Sequence, residues 1–112
     1  MKILIHVNQT ERWEVALNNV KNIIAMDNTA TIELALNGET PALVTSTMLT
    51  QNKQTNIISD FLHHNVVITV CHHSLTALTI SPKQLFDGIE IVPSGAYEIA
   101  LRQYQGFGYL KP

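Results

Sequence analysis

Residues 66–75 read Val66-Val67-Ile68-Thr69-Val70-Cys71-His72-His73-Ser74-Leu75, and this stretch decides the fold. Val66–Val70 is an apolar run of strand length, long enough to cross a domain and far too short to cross a bilayer. It ends in a cysteine and turns at once toward a short helix, expected over Leu75–Ile80 with Ser74 near its start. On its amino side lies a second helix, expected from about Asn52, with Ile57, Ile58, Phe61 and Leu62 on one face. His63-His64-Asn65 ends that helix, where imidazolium side chains suit the negative end of the dipole. A strand flanked by helices on both sides needs crossover connections, and crossovers make a parallel sheet.

The rest of the chain repeats this alternation. Lys2–Val7 is nearly continuous in apolar residues, as expected of a strand covered on both faces. Asn8-Gln9-Thr10-Glu11 turns into a helix whose stripe is Trp13, Leu17, Val20 and Ile24, with Asn8 or Thr10 as alternative N-caps. Asp27-Asn28 ends it. A second strand is expected over Ala30–Leu36, closed by Asn37-Gly38. Residues 40–50 fit two readings, a short helix opened by Pro41 or a buried turn at Leu43-Val44. Ser81-Pro82-Lys83-Gln84 carries the signature of a helix start, and Asp87-Gly88 ends that turn. Ile89–Val92 is the fourth strand. Pro93-Ser94-Gly95 leads into a last helix with Tyr97, Leu101 and Tyr104 on one face, and Phe107–Leu110 is a final short strand. The fold class is therefore α/β, a three-layer α/β/α sandwich with a mainly parallel sheet of about five strands.

Composition bounds the rest. The chain has 112 residues, a single domain's worth spanning 1–112, and 46% of them are hydrophobic, which excludes disorder. Only 14% are charged, against about 25% in an average globular protein. A chain that hides part of its surface in a subunit interface would show this. The net charge is −2, and the Lys and Arg residues form no stripe, so neither nucleic acid nor a membrane surface is an expected partner. His6 and Asn8 break the opening apolar stretch too early for a signal peptide, and the single cysteine cannot build a disulfide framework. A cytoplasmic setting is expected.

In open α/β sheets, ligands bind outside the carboxyl ends of the strands. Three loops fall there: Asn8–Thr10, Cys71–Ser74 and Pro93–Gly95. Cys71 is the leading candidate for chemistry, because a following helix N-terminus stabilises a thiolate; the plainer reading is a buried, inert cysteine. His72 and His73 are candidates to add positive charge or act as bases. No metal is expected, since consecutive residues rarely converge on one ion and no CxxC, HxxxH or HExxH spacing occurs. His6 reads as a satisfied core or strand-end histidine, and Asp60 and Glu98 as solvated charges. Ser94-Gly95 resembles an anion-binding turn at a helix N-terminus, with ordinary capping the favoured reading. No GxGxxG follows the first strand, and neither a P-loop nor a GxSxG elbow occurs, so no cofactor is expected.

Several stretches taken together resemble the DsrE/DsrF-like family, in its small single-domain branch. They are His6-Val7-Asn8 with Arg12-Trp13, Leu36-Asn37-Gly38-Glu39, Val70–Leu75, Asp87–Gly95 and the closing Arg102–Pro112. The resemblance implies a Rossmann-like fold and homo-oligomers, often trimers or hexamers. It also implies that Cys71 matches a cysteine that carries sulfur as a persulfide, received from or passed to a donor or acceptor protein. Asn8, His72, His73 and Ser94 would line the surrounding pocket. No second cysteine is present to resolve a persulfide. The alternative is a non-catalytic oligomeric module that binds a small ligand or a partner at the same strand ends.

Overall fold

The structure, a computed structural model, describes residues 1–112. Its order is β1 (Lys2–Val7), α1 (Trp13–Met26), β2 (Thr31–Leu36), α2 (Ser46–Gln51), α3 (Thr55–His63), β3 (Val67–Cys71), α4 (His72–Leu78), β4 (Glu90–Val92), α5 (Gly95–Tyr104) and β5 (Gly108–Leu110). The five strands form one sheet in the order β4-β3-β2-β1-β5, every pair parallel. The α/β sandwich expected from the alternation is therefore present.

Topology sorts the helices onto two faces. The chain moves in one direction from β1 to β4, then returns across the whole sheet to place β5 beside β1. Right-handed crossovers put connections of opposite direction on opposite faces. One face carries the main core: Ile5, Val7, Ile32, Leu34, Leu36, Ile68 and Val70 meet Trp13, Leu17 and Val20 of α1, Leu49 of α2, Ile58 and Phe61 of α3, and Leu75 of α4. Alternation along the strands turns Leu4, His6, Glu33, Ala35, Thr69 and Cys71 to the other face. That face is covered by α5 alone, which packs over β1 and β2.

Local signals and packing disagree in four places. Neither Asn8 nor Thr10 caps α1; a single 3₁₀ turn, Thr10–Arg12, leads into it, and the free Thr10 N–H donates to Glu39 Oε2 at 2.9 Å. In residues 40–50 both features occur: a buried 3₁₀ turn over Thr40–Val44, then α2, capped by Thr45 rather than opened by Pro41. The capping box at Ser81 and Gln84 is present, yet the chain leaves it after one 3₁₀ turn. Leu85 is drawn instead into an antiparallel bridge with Thr45, and the Phe86 N–H bonds to the Val44 carbonyl. Finally, α4 starts at His72, three residues before the expected Leu75, because Cys71 already has the extended backbone of an N-cap.

The last helix holds a further surprise. Tyr97 and Tyr104 are 68% and 90% exposed, so the aromatic side of α5 faces outward, and its polar side faces the sheet.

Leu17 is 1% exposed and central to α1. Leu17→Pro removes an interior hydrogen bond and clashes with the preceding turn, at a cost of about 3 kcal/mol or more. The melting temperature should fall by more than about 10 °C, at about 4–8 °C per kcal/mol for a domain this small. An unchanged melting curve would contradict this placement of α1.

Candidate functional site

The sheet's second face is polar, and its chemistry-bearing groups lie in two clusters. The first sits at the carboxyl ends of the strands around Cys71. Cys71 is the last residue of β3 and the N-cap of α4, so its side chain stands where a strand ends and a helix begins. The N–H of Gly95, first residue of α5, donates to Cys71 Sγ at 3.2 Å. Gly95 permits this approach because it lacks a side chain: a Cβ there would lie 3.1 Å from the Cys71 Cβ and 3.3 Å from the Asn37 Cβ. Ser94 holds α5 in position as its N-cap, accepting from the Tyr97 N–H at 3.2 Å.

Burial pushes the Cys71 thiol upward. The N–H groups of Ser74 and Gly95, the Ser74 hydroxyl and the His73 N–H outweigh it, and the thiol lies below its ordinary value. Of these N–H groups only that of Gly95 has hydrogen-bond geometry; those at the start of α4 act as aligned dipoles. The Ser74 oxygen is itself fixed by the Gly38 N–H at 2.9 Å, in a turn where Gly38 takes a φ of +63°.

Beside Cys71 a chain of hydrogen bonds crosses the sheet edge. Tyr109 Oη lies 2.7 Å from His6 Nδ1, and His6 Nε2 lies 2.9 Å from Asn37 Oδ1. An amide oxygen only accepts, so this network assigns the His6 proton to Nε2 and makes Tyr109 the donor to Nδ1. The Asn37 amide nitrogen is then left beside Gly95, 3.4 Å from where a Cβ would sit. His6 is thus the satisfied strand-end histidine expected of it, and Asn37 joins it. The sequence placed Asn37 in a closing turn, although it follows β2 as Cys71 follows Val70, and Leu36 pairs with Val70.

The second cluster lies deeper under α5. Arg102 Nε donates to Glu33 Oε1 at 2.7 Å and to Glu98 Oε2 at 3.0 Å, while the Thr69 hydroxyl donates to Glu33 Oε2 at 3.0 Å. Glu33 is 2% exposed and Glu98 9%. Glu98 is therefore not the solvated charge its place on a helix suggested: the return crossover lays its face of α5 against the sheet. Burial, with the adjacent Glu98 carboxylate, pushes Glu33 up to about 7, against the pull of Thr69 and Arg102.

The expected site residues divide. Cys71 and Ser94 are brought together through Gly95. Asn8 is half-buried at the end of β1, its backbone oxygen 3.3 Å from where a Gly38 Cβ would sit. The rings of His72 and His73 are exposed, 6.3 Å apart, and it is the His73 backbone that acts on the sulfur. No three His, Cys, Asp or Glu side chains are arranged to hold a metal ion. The surface concavities lie elsewhere: one of about 320 Å³ on the outer face of α5, one of about 630 Å³ along β1 and β5. We place the site at Cys71 because a nucleophile and oriented donors converge there, whereas those grooves are lined mainly by apolar side chains. No helix is long and apolar enough to cross a membrane.

Comparison with known proteins supports the fold. The chain is similar to the protein of unknown function MTH1491 from Methanobacterium thermoautotrophicum, at 21% identity over 99% of this chain and 98% of that one, with a TM-score of 0.88. It is also similar to the ychN protein from E. coli, at 18% identity over 100% and 99% of the two chains, with a TM-score of 0.83. No protein-family model and no curated protein matches it. At these identities the likeness is one of fold.

The geometry separates backbone from imidazole effects on the thiol. In Gly95→Ala the new Cβ, 3.1 Å from the Cys71 Cβ and 3.3 Å from the Asn37 Cβ, must push its neighbours back by a few tenths of an ångström and so lengthens the N–H to Sγ bond, a loss of up to about 1.5 kcal/mol for a bond to a charged group. The pH midpoint of Cys71 alkylation by iodoacetamide should rise by up to about one unit. His72→Ala should leave it in place. The reverse pattern would assign the activation to the imidazole.

Proposed function

We propose that this chain is a DsrE-like sulfur carrier in which Cys71 takes up sulfane sulfur as a persulfide, in the cytoplasm. The observation that carries this reading is the Gly95 N–H on Cys71 Sγ, delivered by a different helix from the one Cys71 caps. An inert core cysteine needs no such donor, and a thiol held below its ordinary pKa is the nucleophile that sulfur transfer requires.

The step balances with a persulfide donor, small or protein-borne. The Cys71 thiolate attacks the outer sulfur of R–S–SH; the new S–S bond forms as the old one breaks, giving Cys71–S–SH and R–S⁻, which takes a proton from water. The Gly95 N–H is placed to hold the sulfur next to the chain. Asn8 and Ser94 would border the site, with His72 and His73 at its exposed rim, where an acceptor protein would dock. A lone cysteine passes its cargo to an acceptor thiol and does not resolve it internally.

The alternative, an oligomeric binding module without catalysis, draws on the outward Tyr97, Leu101 and Tyr104 of α5. A homo-oligomer, a trimer or hexamer, is part of both readings.

Intact mass distinguishes them. After exposure to a persulfide donor the chain should gain one sulfur atom, lose it to dithiothreitol, and gain nothing as Cys71→Ser. An unchanged mass, with Cys71 labelled only after denaturation, would leave the binding module.

A further inference from the structure

One feature of the second face plays no part in the sulfur reading. Two buried carboxylates, Glu33 on β2 and Glu98 on α5, share the single N–H of Arg102 Nε, at 2.7 and 3.0 Å. One proton cannot form two strong hydrogen bonds at once, so a carboxylate pair held this closely is best satisfied by a second proton between them. The surroundings offer little else. From β3 only the Thr69 hydroxyl reaches Glu33; from β1 its register partner is the apolar Leu4. Lys2 bonds to the Gln105 carbonyl and lies over Phe107, and Arg102 Nη1 bonds to Gln105 Oε1. Glu90, level with Thr69 on β4, is exposed, and His6 is occupied by Tyr109 and Asn37. Arg102 is thus the only cation on the pair.

We infer that the Glu33–Glu98 pair is a proton-operated latch that sets how firmly α5 seats on the sheet. With the shared proton in place the cluster is neutral; without it, two carboxylates face one guanidinium across the seam between helix and sheet. Because α5 begins at Gly95, the latch reaches the N–H on Cys71, and an unseated α5 withdraws it.

The sign follows from linkage. Glu33 sits near 7 in the seated state, above its ordinary 4.5. A group raised on seating favours the seated state fully below its ordinary value, and that preference is lost as pH rises through the raised value. Between those limits the opening of α5 grows by about tenfold per pH unit, then levels off.

Hydrogen exchange of the α5 amides between pH 5 and 9, corrected for intrinsic exchange, tests this. The opening constant of α5 should climb by about tenfold per unit up to about pH 7 and flatten above it, while α1 stays constant. Glu33→Gln, which keeps the shape and loses the titration, should give a flat profile. Glu98→Gln, which removes repulsion but not burial, should flatten at a lower pH. A flat wild-type profile would overturn the inference, as would equal responses of α1 and α5, or a Glu33→Gln profile that keeps the slope.

Discussion

The seating of α5 on the sheet's second face is the constraint on which the rest depends. The first face is filled by four helices over an apolar core and would hold with many sequences of similar volume. The second face has one helix, and a charged cluster attaches it: Arg102 between Glu33 and Glu98, with Thr69 on the far oxygen. Such a cluster adds little net stability, since desolvation largely offsets the attraction. What directional bonds supply is register. An apolar seam would tolerate sliding by part of a turn, whereas these side chains fix α5 along its axis. Its first N–H then falls 3.2 Å from the Cys71 sulfur.

The proposed function follows from that placement. A thiol at the end of a buried strand would ordinarily be made less acidic by desolvation. Here the Gly95 N–H donates to it and the N–H dipoles at the start of α4 reinforce it, and Gly95 eases the approach because a Cβ would sit tightly, at 3.1 and 3.3 Å, against the Cβ atoms of Cys71 and Asn37. The Tyr109–His6–Asn37 chain extends the ordered polar edge from β5 to β2, so the carboxyl ends of neighbouring strands act as one surface. The bulky apolar groups of α5 point the other way, leaving its two sides with different tasks.

Much of the fold was legible because the apolar runs and stripes are long and unambiguous; Val66–Val70 and the Trp13–Leu17–Val20 stripe are examples. What the sequence hid were effects of distant packing. The helix start at Ser81 is locally sound but is overridden by pairing of Leu85 with Thr45. Cys71, at a strand's carboxyl end before a helix, could be picked out by position alone. Ser94-Gly95 could be marked as a helix N-terminus able to meet an anion, but not as the donor to Cys71, because packing of α5 on the sheet sets that approach. Inside a strand Glu33 gives no signal of its own, and on a helix Glu98 reads as a surface charge. Only the return crossover, which brings residues 33, 98 and 102 together, makes them a cluster.

In the proposed function α5 makes Cys71 a thiolate centre rather than a core thiol. Direct titration of the wild-type chain by the ultraviolet absorbance of the thiolate tests it without any reagent having to reach the sulfur. The part of the signal that is absent from Cys71→Ser should have its midpoint below the value of about 8.5 for a free cysteine. A midpoint at or above that value would show that burial outweighs the N–H donors, and would contradict the account.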